Sequence, residues 1–406
     1  MKLNTKSSRR IAIVAASAPP LSAGGIASAH FNLFKALKSA GYSVKLFTFF
    51  DNNVPASPPG ASIQRFGGAQ WLINLIYSLV RAVFEVISGN RNAYETAVII
   101  RSMIGAFRAT AAIERFAPDV VVLSDHGAPG LFIKRKPGRR IVLISHHNPM
   151  RFVQPPLLDS ASKMDARVAI FLENRVLENV DVVICPSHYM QRWFKSTYEF
   201  KGKVYVLSNM IDTSQNDQVK AVDKKKLCLQ KNAPIIYMPS AGNKIKGGDF
   251  LTRILTELSV EQKIGFYIPG YVESQYRTDM SKLSKNIDIY APGQLSYKQH
   301  IAIVKACTFA ISPAVMENFS MAIFEAVYNG VPTVAFQAGG NEDIIKNGEN
   351  GFLVPNFDVD AMVIAAWKLL RLKSIAEFKR NTKHYTRRKF NSKLLLSNYL
   401  KLFELI

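Results

Sequence analysis

Short apolar runs alternate with helix-length amphipathic stretches through this chain, and that alternation limits the fold more than any other feature. Ile11–Ala15 reads as a strand, Ala27–Ala40 as a helix and Ser43–Phe49 as a second strand. Val120–Leu123, Ile141–Ile144, Val182–Cys185 and Val204–Leu207 continue the series. Runs this uniformly apolar suit strands buried on both faces, as in parallel sheets covered by helices. A polar stretch, Asp212–Ala233, interrupts the rhythm. It restarts with Ile235–Met238, Ile264–Tyr267, Ile287–Tyr290, Phe309–Ser312 and Thr333–Phe336. A length of 406 residues also favours two domains. The expected architecture is α/β: two doubly wound, Rossmann-like domains divided near residue 213. Such sheets bind ligands beyond the carboxyl ends of their strands.

The charge balance bears on partners. Lys and Arg number 52 against 30 acids, a net charge of +22. Anionic substrates, anionic lipid and nucleic acid are the candidate partners of such a chain. No basic zipper, zinc-type Cys/His spacing or aromatic RNA-binding signature accompanies the charge, so no nucleic-acid partner is expected. Cys185, Cys228 and Cys307 are widely separated, which suits a reducing cytoplasm, packing thiols and no structural metal. The basic start followed by Ile11–Ala16 resembles a signal peptide, but Pro19-Pro20 and a glycine turn follow, so a first strand is expected. Trp71–Ser88 is about 18 residues long, near the lower limit for a membrane span. Arg81 and Glu85 interrupt it at the spacing of a helix-surface ion pair, and charges are costly in lipid. It is read as an amphipathic or buried helix that touches a membrane surface. The basic run Lys379–Lys389 is either a solvated helix face or an attraction to anionic headgroups.

Four segments follow strands and carry groups able to bind or react. Gly24-Gly25, between the first strand and helix, allow close approach of a ligand and positive φ, with the helix amides offered to an anion. They also suit a plain tight turn. This is not the G-x-G-x-x-G dinucleotide pattern. His146, His147 and Asn148 directly follow Ile141–Ile144, and His126 follows Val120–Leu123. A neutral imidazole there hydrogen-bonds a sugar hydroxyl; equally, these residues only form turns. No third ligand at metal-binding spacing accompanies the histidines. Lys244 and Lys246, before Gly247-Gly248, suit a diphosphate. Glu317-Asn318-Phe319-Ser320 opens the amphipathic helix that carries Glu325. Ser320 can cap that helix, and Glu325 can accept two vicinal hydroxyls.

Taken together, these segments resemble glycosyltransferase family 4. The family's Glu, seven residues, Glu motif reads ENFSMAIFE from Glu317 to Glu325. It continues as EAVYNGVPTVAFQAGGNEDIIKNGENGFLVP, while PPLSAGGIASAHFNLFKALKSAGYSVKLFT is similar to the family's opening. VDVVICPSHYM and VYVLSNMID are similar to the end of its first domain. The resemblance implies a GT-B fold with two domains facing across a cleft. Residues 1–212 would form the acceptor-side domain, with helix 390–406 packing back on it, and 213–389 the nucleotide-sugar domain. It also implies roles. Glu325 holds the donor ribose, and Glu317 contacts the transferred sugar. Phe319 and Ser320 supply main-chain amides to the phosphate, and Lys246 neutralises the diphosphate. His147, with His146 as its alternative, contacts the sugar. Asn318 and Ser320 replace two glycines of the common motif, Ala241 stands where an arginine is usual, and Met210 replaces a glycine at the interdomain joint. Lys244 substitutes for that arginine.

The implied reaction is metal-independent transfer, with retention, from a UDP- or GDP-sugar to a glycan or lipid-linked acceptor. The setting is bacterial surface polysaccharide synthesis in the cytoplasm, peripheral to the inner face of the membrane. A nucleotide-sugar 2-epimerase of the same fold and a catalytically weakened sugar-nucleotide-binding protein are the competing readings.

Overall fold

A computed structural model describes residues 9–21, 24–55, 57–58, 60–89, 93–155, 162–227, 233–239, 241–283 and 287–404. Cys228 lies outside them. The chain divides into two compact units, residues 1–211 with 393–406, and residues 212–392.

The first unit is built on a parallel sheet. Its strands are β1 (Arg10–Ala15), β2 (Ser43–Thr48), β3 (Ile63–Arg65), β4 (Val120–Ser124), β5 (Arg140–Ile144), β6 (Val182–Cys185) and β7 (Lys203–Val206). They lie in the order β3-β2-β1-β4-β5-β6-β7. Strand residues alternate between two cores. Ala12, Val14, Phe47, Val121 and Leu143 face α3 (Tyr94–Phe116), α4 (Lys163–Leu177) and α5 (His188–Thr197), while Ile11, Ile13, Ala15, Val122 and Ile144 face α1 (Gly25–Ser39). Both faces are covered, which is why the strands read as apolar throughout. Helix α2 (Gln70–Ser88) differs: it buries Ile73 and Phe84 but exposes Trp71, Leu75, Leu79, Val83, Val86 and Ile87. By length and composition alone, α2 and α3 could each cross a membrane, but α3 packs over the sheet through Ile99, Ala106, Ala109 and Ile113.

The second unit contains β8 (Ile235–Tyr237), β9 (Gly265–Pro269), β10 (Asp288–Gly293), β11 (Phe309–Ser312), β12 (Thr333–Phe336) and β13 (Gly351–Val354), all parallel, in the order β10-β9-β8-β11-β12-β13. Its helices are α6 (Thr213–Gln218), α7 (Gly248–Leu258), α8 (Ser274–Ser281), α9 (Tyr297–Ala306), α10 (Met321–Tyr328), α11 (Asn341–Ile344), α12 (Val359–Leu370) and α13 (Ile375–Lys389). The last helix, α14 (Ser392–Leu402), returns to the first unit. There Leu395, Tyr399 and Leu400, with Phe403 just beyond it, complete the core over Ile11 and Ile13, and Tyr399 Oη donates to Ser208 O at 3.1 Å. Cys185 and Cys307 are buried thiols, each pushed up by burial, Cys307 to about 12.

In each order the strand sequence reverses once, between β1 and β4 and between β8 and β11. Loops leaving those strands splay apart and open a crevice at the carboxyl edge. Among the elements the sequence expectation did not place are two strands and the longest helix described. Strand β3 has three residues, too few to show a period, and α3 and β13 were not anticipated. Gly105 lets α3 approach the sheet: a Cβ there would sit 1.8 Å from Phe49 O. Gly105→Ala is expected to destabilise the protein by about 1–3 kcal/mol or more, because backbone must move. A chemical-denaturation midpoint equal to wild type would contradict this contact.

Candidate active site

In the first unit the expected residues cluster around the loops after β1, β4 and β5. The loop after β1 is tied down by Asp51. Its carboxylate accepts from Ser17 Oγ, Thr48 Oγ1 and Arg65 Nη1, each at 2.6 Å, and Arg65 also donates to Ala18 O and Pro19 O. Gly24 is the N-cap of α1 with φ −70°, and neither it nor Gly25 takes the positive φ that the sequence suggested. A Cβ on Gly25 would meet nothing within 4 Å, so the backbone there borders open space.

Asp125 joins the other two loops. One carboxylate oxygen accepts from His126 N at 2.8 Å and the other from His147 N at 2.6 Å. His147 Nε2 lies 2.8 Å from Glu95 Oε2, and both side chains are buried. Burial disfavours a charged His147, but Glu95, Asp125 and Glu173 outweigh it and push the ring up to about 9. The neutral imidazole expected from sequence is therefore an imidazolium at neutral pH. Burial pushes the neighbouring groups toward their neutral forms. His126 falls to about 4, His146 to about 3, and Glu173 rises to about 8. Glu173 accepts from the Tyr198 hydroxyl, and both line a cavity with Asp125 and Ser145. His146 Nε2 meets Asn209 Oδ1 at 2.8 Å. Asn148 serves the turn: Oδ1 accepts from Met150 N, and Nδ2 donates to Thr197 Oγ1 at 3.0 Å.

The fold supplies the third group that sequence spacing had not offered. Donor atoms of Glu95, His126 and His147 all lie within 4.8 Å of one another. In this arrangement Glu95 Oε2 and His147 Nε2 are engaged with each other in a hydrogen bond. Nothing near Glu95 in sequence marks it; 52 positions separate it from His147.

In the second unit the loops after β8 and β11 meet. Val315 N donates to Ile245 O, and Lys246 Nζ lies 2.7 Å from Glu317 Oε1. Gly247, at φ +87°, makes this possible, since a Cβ would meet Pro313 O at 2.1 Å. Lys244 is exposed in the same loop, three residues before Gly247. Ser320 caps α10 by accepting from Ile323 N, and Phe324 N returns to Ser320 O. Of the first-turn amides, those of Met321 and Ala322 have no carbonyl within the helix to bond. Asn318 precedes them, while the Phe319 ring packs on Phe324 and Phe390, so only its main chain can meet a ligand. Glu325 is buried and pushed up to about 7 by that burial, partly offset by a hydrogen bond from Tyr297. Asn216 links this group onward, donating to Tyr297 Oη at 2.7 Å and accepting from Asn329 Nδ2 at 2.6 Å. Tyr297 and Asn216 carried no signal in the sequence.

Two parallel sheets with these reversals define an α/β fold of the GT-B type. Over 98% of both chains it superposes on sucrose-phosphate synthase from Thermosynechococcus elongatus, with TM-score 0.73 and 16% identity. HepE of Anabaena in complex with UDP-glucose gives TM-score 0.68 at 16% identity, over 98% of this chain and 100% of that one. Residues 23–215 match the model for Glycosyltransferase Family 4, and 219–389 match that for Glycosyl transferases group 1. Between them they take in most of the sequence, and the chain belongs to these glycosyltransferases. It is 21% identical over 243 residues to a 41.2 kDa protein in the cps region of Klebsiella pneumoniae, covering 60% of this chain and 66% of that one. It is 27% identical to an MMP alpha-(1->4)-mannosyltransferase of Mycolicibacterium hassiacum, over 34% of each. The match thus spans about two thirds of the first of these relatives and a third of the second.

The buried charges give stability a pH dependence. His147 is raised above its unfolded value, so its contribution is complete below about pH 6.5 and is lost as pH rises through about 9. Glu173 and Asp125, raised by burial to about 8 and about 6, act in the same direction. The melting temperature should fall between pH 6.5 and 9, and His147→Gln should flatten that fall. A melting temperature that climbs over this range would contradict the assignment.

Proposed function

We propose that this protein is a retaining glycosyltransferase. It moves a sugar from a UDP- or GDP-sugar to a hydroxyl of a glycan or lipid-linked acceptor, in bacterial cell-surface polysaccharide synthesis. The observation that carries the reading is the Lys246–Glu317 ion pair at the β8/β11 reversal, beside the open first turn of α10. A donor diphosphate gains negative charge as its bond to the sugar breaks. Lys246, Lys244 and the amides around Ser320 stabilise that charge, with no metal required. Glu325 accepts the ribose hydroxyls and Glu317 the hydroxyls of the transferred sugar, with Asn318 beside them. Gly24 and Gly25 leave room for phosphate or acceptor, and His147 meets the sugar.

The departing phosphate oxygen takes the acceptor proton as the new bond forms on the face the leaving group quits. Glu317 is engaged by Lys246 and Glu325 by Tyr297, which argues against the covalent carboxylate of a retaining glycosidase. The Anabaena neighbour was solved with UDP-glucose, and a Corynebacterium glutamicum relative is a GDP-mannose-dependent alpha-mannosyltransferase. Both bases therefore belong in a donor screen. The exposed apolar side of α2 and the net charge of +22 support peripheral attachment to anionic lipid at the cytoplasmic face of the membrane.

With an identified donor, Lys246→Ala and Glu317→Ala should each lower kcat/KM by about 100-fold or more. Glu325→Ala should raise the donor KM by about tenfold. Wild-type rates in both Lys246→Ala and Glu317→Ala sink the proposal, and donor conversion without any acceptor indicates an epimerase instead. In liposome flotation, anionic vesicles should retain the protein, and Leu79→Glu with Val83→Glu should release it. Failure to float at low and at moderate salt rejects the membrane contact.

A further inference from the structure

His147 is fixed on several sides. Its N–H donates to Asp125, its ring stacks on Phe152 at 5.2 Å and 29°, and His126 meets it edge-on at 4.7 Å. Glu95 takes Nε2. Glu95 is itself immobilised through its backbone. It is the second residue of α3, and the Asp165 carboxylate on α4 accepts from Glu95 N at 2.8 Å and Thr96 N at 2.9 Å. Asp165 is fully buried and thereby satisfies two first-turn amides that a helix leaves without internal partners. The restraint runs from α4 through the first turn of α3 to the imidazole.

The chemistry of the pair limits what His147 can offer. An ionised carboxylate only accepts, so Nε2 carries a hydrogen. That leaves Nδ1 as the ring nitrogen able to reach a ligand. Three acids face the ring, Glu95 from α3, Asp125 from the loop after β4 and Glu173 from α4, against the single neighbouring imidazole of His126. Together they favour a second proton on Nδ1, which makes that atom a donor and removes any lone pair for base catalysis.

We propose that Glu95 is a positioning residue, holding Nε2 of His147 so that Nδ1–H donates to an oxygen of the transferred sugar. The proposal rests on the sugar-transfer reading above. No bond is made or broken at His147; its ring orients the sugar and contributes positive charge. Glu95 thereby sets whether this position donates or accepts, and favours donors whose sugar presents an acceptor oxygen there.

The test uses the full chain labelled with nitrogen-15 histidine, with the His147 signal assigned by its loss in His147→Gln. In wild type both ring nitrogens should carry protons at pH 7.5. In Glu95→Gln the ring should be mostly neutral at that pH, its titration moved down by about two units or more. With an identified donor, Glu95→Gln should lower kcat about 10- to 100-fold at pH 7.5, with little change in donor KM. Activity should partly recover at lower pH, a recovery His147→Ala cannot show. If Glu95→Gln does not fold, Glu95→Asp, which shortens the reach, carries the same readouts. An unmoved His147 titration overturns the proposal, as does wild-type transfer by Glu95→Gln when His147→Ala is impaired. Wild-type rates in His147→Ala defeat the sugar contact and the proposal together, while the Lys246 and Glu317 variants separately judge transfer. If no donor supports transfer, the transfer reading fails, and with it the sugar contact.

Discussion

Parallel strand pairing is the constraint from which the rest follows. Each parallel neighbour needs a crossover, the crossovers cover both faces of the sheet, and polar groups are driven to the strand ends. In both units the carboxyl ends of the strands beside the reversal carry the groups of interest. Asp125 and His126 follow β4, the Lys246 loop follows β8, and Glu317 follows β11. The adjacent β5 adds His146 and His147. Backbone geometry thus brings together side chains that lie far apart in sequence.

Much of this was legible beforehand because apolar runs mark strands buried on both faces. Eleven of the thirteen described strands could be placed from such runs, and the Glu317–Glu325 segment stood out because its second acid interrupts an apolar helix. What stayed hidden has a common cause. Glu95, Tyr297 and Asn216 act through contacts made across the fold, and no local period records a partner 52 or 81 residues away. Gly24 and Gly25 misled in a different way. Glycine pairs suggest positive φ, yet here Gly24 is extended and Gly25 enters the helix, where a Cβ would meet nothing within 4 Å.

The two clusters handle buried charge differently. Lys246 and Glu317 form a compact pair in which a half-buried ammonium meets a buried carboxylate. Around His147 one cation answers three acids, and burial raises Asp125 to about 6 and Glu173 to about 8. A pair loses its balance when either member is replaced, because the survivor is left unpaired. A network can redistribute a proton, so replacing one acid shifts its neighbours' titration.

The return of α14 to the first unit has a consequence for how the protein is made. Leu395, Tyr399, Leu400 and Phe403 belong to a core whose strands begin at Arg10. A ribosome must therefore synthesise all of residues 212–392 before that face of the first sheet can close. Until then Ile11, Ile13 and Ala15 lack part of their cover, and such transiently exposed apolar surface is where aggregation competes with folding. The second unit, contiguous in sequence, carries no such delay. Vectorial synthesis thus reverses the expected order, and the segment made first is the last to be finished.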